Sequence, residues 1–146
     1  MTVFADSSAI VKRYADEAGH GQVRALDSPL VVSALARVEV AGALWRKHRM
    51  GELTADDVAV LVGAFEDDWN TPADGGVAPF VAVAATSSVI DLAARLVARH
   101  GLRAYDSVQL ASATAAREAL DEPLTFAAFD HDLLDAAARE GFTLLP

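Results

Sequence analysis

The chain contains no cysteine. Disulfides and thiolate metal sites are therefore excluded, and a reducing cytoplasm is the simplest compartment to expect. Long apolar runs are missing as well. No stretch approaches ~18 consecutive apolar residues without a charge, so neither a transmembrane helix nor a membrane partner is expected. The first residues show no basic start followed by an apolar stretch, and no signal peptide is read there. Basic residues are scarce: 12 Lys and Arg stand against 21 Asp and Glu, a net charge of −9. Such a surface repels nucleic acid and argues against a protein that merely coats DNA or RNA. It argues less against a nuclease, because a bound divalent cation carries local positive charge to a phosphate. No Walker A motif and no Gly-x-Gly-x-x-Gly occurs, and no Gly-x-Ser-x-Gly elbow surrounds Ser7 and Ser8.

What is present suits one domain with one core. The chain has 146 residues, of which 53 % are hydrophobic, and disorder is not expected from that composition. Apolar runs at residues 2–6, 29–33, 80–84 and 124–130 read as strands, and "FTLL" near the end reads as a last one. Between them lie helical patterns at 8–16, 34–50, 54–69, 86–100, 104–120 and 131–140, with a short helix in "QVRALD". Gly51 and Gly101 stand where helices commonly end. Thr54 reads as an N-cap with Asp56 and Asp57 in its first turn. "NTPADGGVAP" is the clearest loop, and no linker is long enough to divide the chain. Strands alternating with helices predict a three-layer α/β/α sandwich around a parallel sheet of four to five strands.

In such a sheet ligands bind beyond the carboxyl ends of the strands. Asp6 ends the first predicted strand and Asp130 the fourth, with Asp132 two residues on. Glu39 stands near the start of the helix after the second strand, and Asp106 in the first turn of the 104–120 helix. Four acids from separate parts of the chain can thus converge on one edge. Carboxylates with ordinary pKa values of roughly 4 repel one another when crowded, which raises those values or demands a cation. An oxygen-only set without Cys or paired His suits Mg²⁺ or Mn²⁺. One such ion, or a pair ~4 Å apart, can hold a phosphodiester and activate a water.

Each acid also has a structural reading. Asp6 and Asp130 can cap the helices that follow them, and Asp106 and Asp132 can serve helix first turns. Glu39 sits in "ARVEVAGAL" between Val38 and Val40, an apolar run that makes it harder to dismiss, although it can also face solvent. Joint placement, not any single residue, favours a site. His20, His48, His100 and His131 show no metal-ligand spacing and read as surface or helix-end residues. Arg37, Arg46, Lys47 and Arg49 read as a solvated face, and Trp45 and Trp69 as core or interface anchors.

The stretches "VFADSSAIVKRY", "SALARVEVAGALWR", "LRAYDSVQLASA" and "LTFAAFDHDLLDAA", in that order, resemble the PIN-domain family, and within it the VapC toxins of bacterial toxin–antitoxin pairs. The resemblance spans essentially the whole chain, residues 1–146, as one PIN domain. It implies an Mg²⁺- or Mn²⁺-dependent endoribonuclease that forms homodimers and is neutralised by a VapB-type antitoxin in a hetero-oligomer. By motif, Asp6, Glu39, Asp106 and Asp130 match the family's catalytic, metal-binding acids, and Asp132 can supplement the last. Ser7 then reads as the turn and cap that hold Asp6, and Ser8 as a donor behind the carboxylate. Family members often admit an antitoxin arginine among these acids, and the acidic charge suits a basic antitoxin tail. One departure is visible: Ala128 stands where many relatives carry Ser or Thr.

Three other readings compete. A haloacid-dehalogenase-like phosphatase needs a second Asp two positions after the first, where this chain has Ser8. A phospho-receiver domain needs an Asp at the end of its third strand, and "FVAVAATSS" has none. A PIN-like binding module without activity satisfies the same fold.

Overall fold

The computed structural model describes residues 1–27, 29–72 and 77–145. Five strands run in chain order: β1 (Thr2–Ala5), β2 (Leu30–Ser33), β3 (Phe80–Val83), β4 (Leu124–Ala127) and β5 (Thr143–Leu144). The helices are α1 (Ser7–Tyr14), α2 (His20–Arg24), α3 (Ala36–Arg49), α4 (Ala55–Trp69), α5 (Ser87–His100), α6 (Ala104–Leu120) and α7 (His131–Arg139). All strand pairs are parallel and the spatial order is β3-β2-β1-β4-β5. None of the described helices is long and apolar enough to cross a membrane.

The sheet is apolar on both faces, as a parallel sheet covered by crossover helices must be. Side chains alternate between the two faces. Phe4, Val31, Leu124 and Phe126 pack with α5, α6 and α7, where the Phe4 and Phe126 rings stack at 5.4 Å. Val3, Ala5, Leu30, Val32 and Ala127 pack with α1, α3 and α4 on the other face. The result is a three-layer sandwich, the predicted class with five strands. Trp69 joins Phe65 and Phe80 in the second of these cores, whereas Trp45 is partly exposed and meets His48 edge to face.

Capping sets the helix starts. Thr54 accepts from Asp57 N, and the Asp57 carboxylate accepts from Thr54 N in return, a reciprocal box at the start of α4. Thr86 caps α5 and Gly101 closes it in the left-handed region. The chain departs from expectation at β4, which ends at Ala127, three residues before Asp130. Residues 128–130 turn away from the ladder instead, and Asp130 caps α7 by accepting from Leu133 N at 3.0 Å. Of the predicted "NTPADGGVAP" loop, residues 73–76 lie outside the described residues.

The turn after β4 is held by packing. Phe129 takes the Lys12 ammonium on its ring face at 4.4 Å and rests against Gly19, which has φ +88°. A Cβ on Gly19 would overlap ring atoms Cε1 and Cζ of Phe129, the latter at 2.9 Å. Gly19→Ala therefore combines a left-handed backbone penalty of roughly 1–2 kcal/mol with overpacking of similar size. A loss of about 2 kcal/mol or more is expected in urea unfolding. A variant within about 0.5 kcal/mol of the wild type, the range of an ordinary surface change, would contradict this account of the turn.

Candidate active site

Between β1 and β4 the chain reverses its direction of travel across the sheet. It builds β1, β2 and β3 outward one way, then β4 and β5 the other. That switch point is where an open α/β sheet forms a crevice at its carboxyl edge. Asp6 follows β1 directly, and its N–H donates to Ala127 O at 3.0 Å, prolonging the ladder by one bond. Asp130 lies beyond the end of β4 on the same edge. Glu39 is in the first turn of α3, which follows β2, and Asp106 is in the first turn of α6.

Asp6 is buried, with 4 % of its surface exposed. Its Oδ1 accepts from Ser8 Oγ at 2.7 Å and from Ala9 N at 2.9 Å. The capping reading is therefore true of Asp6 as a structural fact. Burial pushes its carboxyl up from 3.8 to about 6, and the nearby Asp106 charge pushes the same way, against the hydrogen bonds. Ser8 does a second job: its hydroxyl oxygen accepts from Phe129 N at 2.9 Å. It thereby ties the turn after β4 to the turn after β1, across the position where Ala128 brings no hydroxyl.

Glu39 is held by a separate network. Its Oε1 accepts from Ser7 Oγ at 3.1 Å and from Gln109 Nε2 at 2.7 Å. Gln109 Nε2 also donates to Ser7 Oγ at 2.9 Å, closing a ring of three side chains from α1, α3 and α6. Ser7 is thus a buried member of α1 that orients Glu39, rather than the turn residue holding Asp6. Asp106 and Asp130 share one cation. Arg103 Nε donates to Asp106 Oδ2 at 3.0 Å, and Arg103 Nη2 to Asp130 Oδ2 at 3.2 Å. Asp132 is exposed in the first turn of α7.

The four acids therefore line one edge, but each is engaged by protein donors. Among the described residues, no group of three or more His, Cys, Asp and Glu side chains is so placed that it would hold a metal ion as it stands. The donor chemistry nevertheless fits a hard divalent cation: every candidate ligand is a carboxylate oxygen. A cation placed there would oppose both the desolvation that raises the Asp6 carboxyl and the Asp106 repulsion.

Two curated relatives from Mycobacterium tuberculosis, ribonuclease VapC45 and ribonuclease VapC49, are each 34 % identical to this chain. Each alignment runs over 148 positions, 99 % of the chain and 94 % of the relative. The chain belongs to the VapC family. No family model matches it. Identity of this extent leaves no large part of the sandwich outside the VapC comparison, so both halves of the switch point belong to the shared chain.

Two residues at this VapC edge escaped the sequence reading. Gln109 lies between Val108 and Leu110 on α6 and is buried, with its Oε1 unpartnered among the described residues. Its signal was spacing: three residues after Asp106, it shares that helix face. Arg103 stands three residues before Asp106 and is reachable by the same rule. His100, at the end of α5 with a buried side chain, pairs with Glu140 at 2.6 Å rather than with any of these acids.

Asp6 gives a pH dependence whose sign follows from its shift. The folded protein keeps the Asp6 proton up to about pH 6, whereas the unfolded chain releases it near 3.8. Between those values the folded state binds more protons, so stability falls as pH rises and the loss is complete above about pH 6. At ~1.36 kcal/mol per unit the loss approaches about 3 kcal/mol. Asp6→Asn keeps an oxygen acceptor for Ser8 and Ala9 without the ionisation. In chelator it is expected to be more stable than wild type by about 1–3 kcal/mol at pH 7, with the difference fading below pH 4. Urea unfolding across that range checks this, and a variant less stable than wild type at pH 7 refutes it.

Proposed function

We propose that the chain is an endoribonuclease toxin of a type II toxin–antitoxin pair, dependent on Mg²⁺ or Mn²⁺ and neutralised by a VapB-type antitoxin. The observation that carries this reading is the placement of Asp6 and Asp130 on the two sides of the β1/β4 switch point, with Glu39 and Asp106 on the same edge, in a chain of the VapC family. The names of the two relatives supply the ribonuclease class. Residues 1–146 act as one PIN domain on this reading, in the cytoplasm, as a homodimer and in a hetero-oligomer with the antitoxin.

Asp6, Glu39, Asp106 and Asp130 would hold the cation. When bound, such an ion neutralises phosphate charge and activates a water for in-line attack on a phosphodiester. The protein's own contribution is orientation. Ser8 and the α1 N-terminus fix the Asp6 carboxylate, and Ser7 with Gln109 fixes Glu39. Held donors and acceptors lower the reorganisation required as the reaction proceeds. The negative edge that a cation would fill also suits a basic antitoxin segment, whose arginine would form charge-assisted hydrogen bonds with the same carboxylates.

A second reading, a binding module without activity, is favoured by one observation. At least one oxygen of each carboxylate is taken by a protein donor, and among the described residues no three acids are gathered for a metal. Purified protein free of antitoxin, incubated with structured RNAs, separates the two. Cleavage is expected with Mg²⁺ or Mn²⁺, none with chelator, and a loss on the order of 10²-fold or more in Asp6→Asn, the scale of removing a charge-stabilising group. RNA bound but not cut under every metal condition would establish the binding module instead.

A further inference from the structure

We propose that Arg103 exchanges partners: it neutralises Asp106 and Asp130 while the site lacks metal, and turns to an RNA phosphate when a divalent cation takes those carboxylates. This rests on the metal-dependent reading above and adds a residue to it.

The geometry is specific. Arg103 is the N-cap position of α6, with extended backbone and no side-chain capping bond of its own. Its side chain bonds Asp106 in the first turn of α6 and lies 78 % exposed across the mouth of the edge. Two nitrogens of one guanidinium reach one oxygen on each of two acids from different elements, Asp106 on α6 and Asp130 before α7. Asp130 keeps its other oxygen for the α7 cap. The Asp130 oxygen that Arg103 occupies is therefore the one left for a ligand.

Exposed ion pairs contribute little net stability, because solvent screens them and the long side chain loses freedom in forming them. A doubly charged ion competes well against such a partner. Metal and guanidinium draw on the same Asp130 oxygen and on the charge of the same two carboxylates, so each opposes the other's binding. Once displaced, the guanidinium stays tethered at the mouth. Its planar fork matches two phosphate oxygens as well as it matches carboxylates, and it cannot deprotonate. In a chain of net charge −9, a cation fixed at this edge is what an approaching polyanion would meet first.

The test is a calorimetric Mn²⁺ titration of metal-stripped, antitoxin-free protein, with circular dichroism to verify the fold. Removing both the competitor and its charge, Arg103→Ala is expected to bind Mn²⁺ about ten-fold tighter than wild type. It is expected to bind a single-stranded RNA oligonucleotide about ten-fold more weakly in Ca²⁺. Arg103→Lys keeps the charge without the fork, and is expected to restore wild-type Mn²⁺ affinity while leaving RNA binding impaired. Folded Arg103→Ala with unchanged or weaker Mn²⁺ affinity would make Arg103 a brace for the α6 N-terminus and overturn the exchange. A wild type that binds no Mn²⁺ overturns the metal reading itself, and the exchange with it. That outcome is distinguishable because it appears before any Arg103 substitution is made.

Discussion

Pairing of β1 with β4, in register from Thr2 with Leu124 to Ala5 with Ala127, governs the position of the candidate catalytic side chains. With β2 on the other side of β1, the central strand is closed on both edges. Both of its faces are covered by helices, so no polar chemistry fits along its length. The carboxyl end is the place where a charged side chain can meet solvent and a ligand together. Asp6 takes the first position past that end and still extends the ladder through its N–H to Ala127. The remaining acids are placed relative to it: Asp130 by the neighbouring strand, Glu39 through Ser7 one residue along, and Asp106 on the helix whose Gln109 reaches the same serine.

Hydroxyl and amide groups between the carboxylates do much of the positioning. Ser8 donates to Asp6 and accepts from Phe129 N, so one side chain couples the turns after β1 and β4. Gln109 couples α6 to α1 and α3. Such contacts fix carboxylates without neutralising them, which leaves the negative charge available. Arg103 differs, because it brings full positive charge from an exposed position. The edge is thus divided between buried neutral donors that orient and an exposed cation that can leave.

The strands and helices were legible because burial on both sheet faces leaves continuous apolar runs in sequence, and because Thr54, Thr86 and Gly101 mark helix ends with their backbone chemistry. The candidate acids stood out because Asp6 and Asp130 follow apolar runs, Glu39 interrupts one, and Asp106 stands in the first turn of a helix. The limit of β4 was not. "LTFAAFD" stays largely apolar through Phe129, yet Ala128 packs into the α5–α6–α7 core while Phe129 rests on Gly19 and Lys12, tertiary seats that no local pattern announces. Gln109 was hidden because a lone amide among apolar helix residues looks like any core polar group. Its partners, Ser7 and Glu39, lie 102 and 70 positions away. Arg103 was hidden because surface charge is common, and a bridge to two particular acids exists only in three dimensions.

The identity of residue 6 carries a cost that its capping geometry does not require. As an N-cap, Asp offers nothing that Asn or Ser lacks, since all three rank alike. This chain caps α4 and α5 with threonine, a neutral group that adds no buried charge. At α1, as at α7, it uses an acid, and at α1 burial raises the carboxyl to about 6 so that ionisation opposes folding. A neutral cap would avoid that cost and keep the same hydrogen bonds. An ionisable group is thus retained at a stability loss, beside a second acid that worsens it, which supports the metal-dependent reading proposed above. The same reasoning is weaker for Asp130, which is more exposed and shares Arg103, and stronger for Asp6 than for any other acid on this edge.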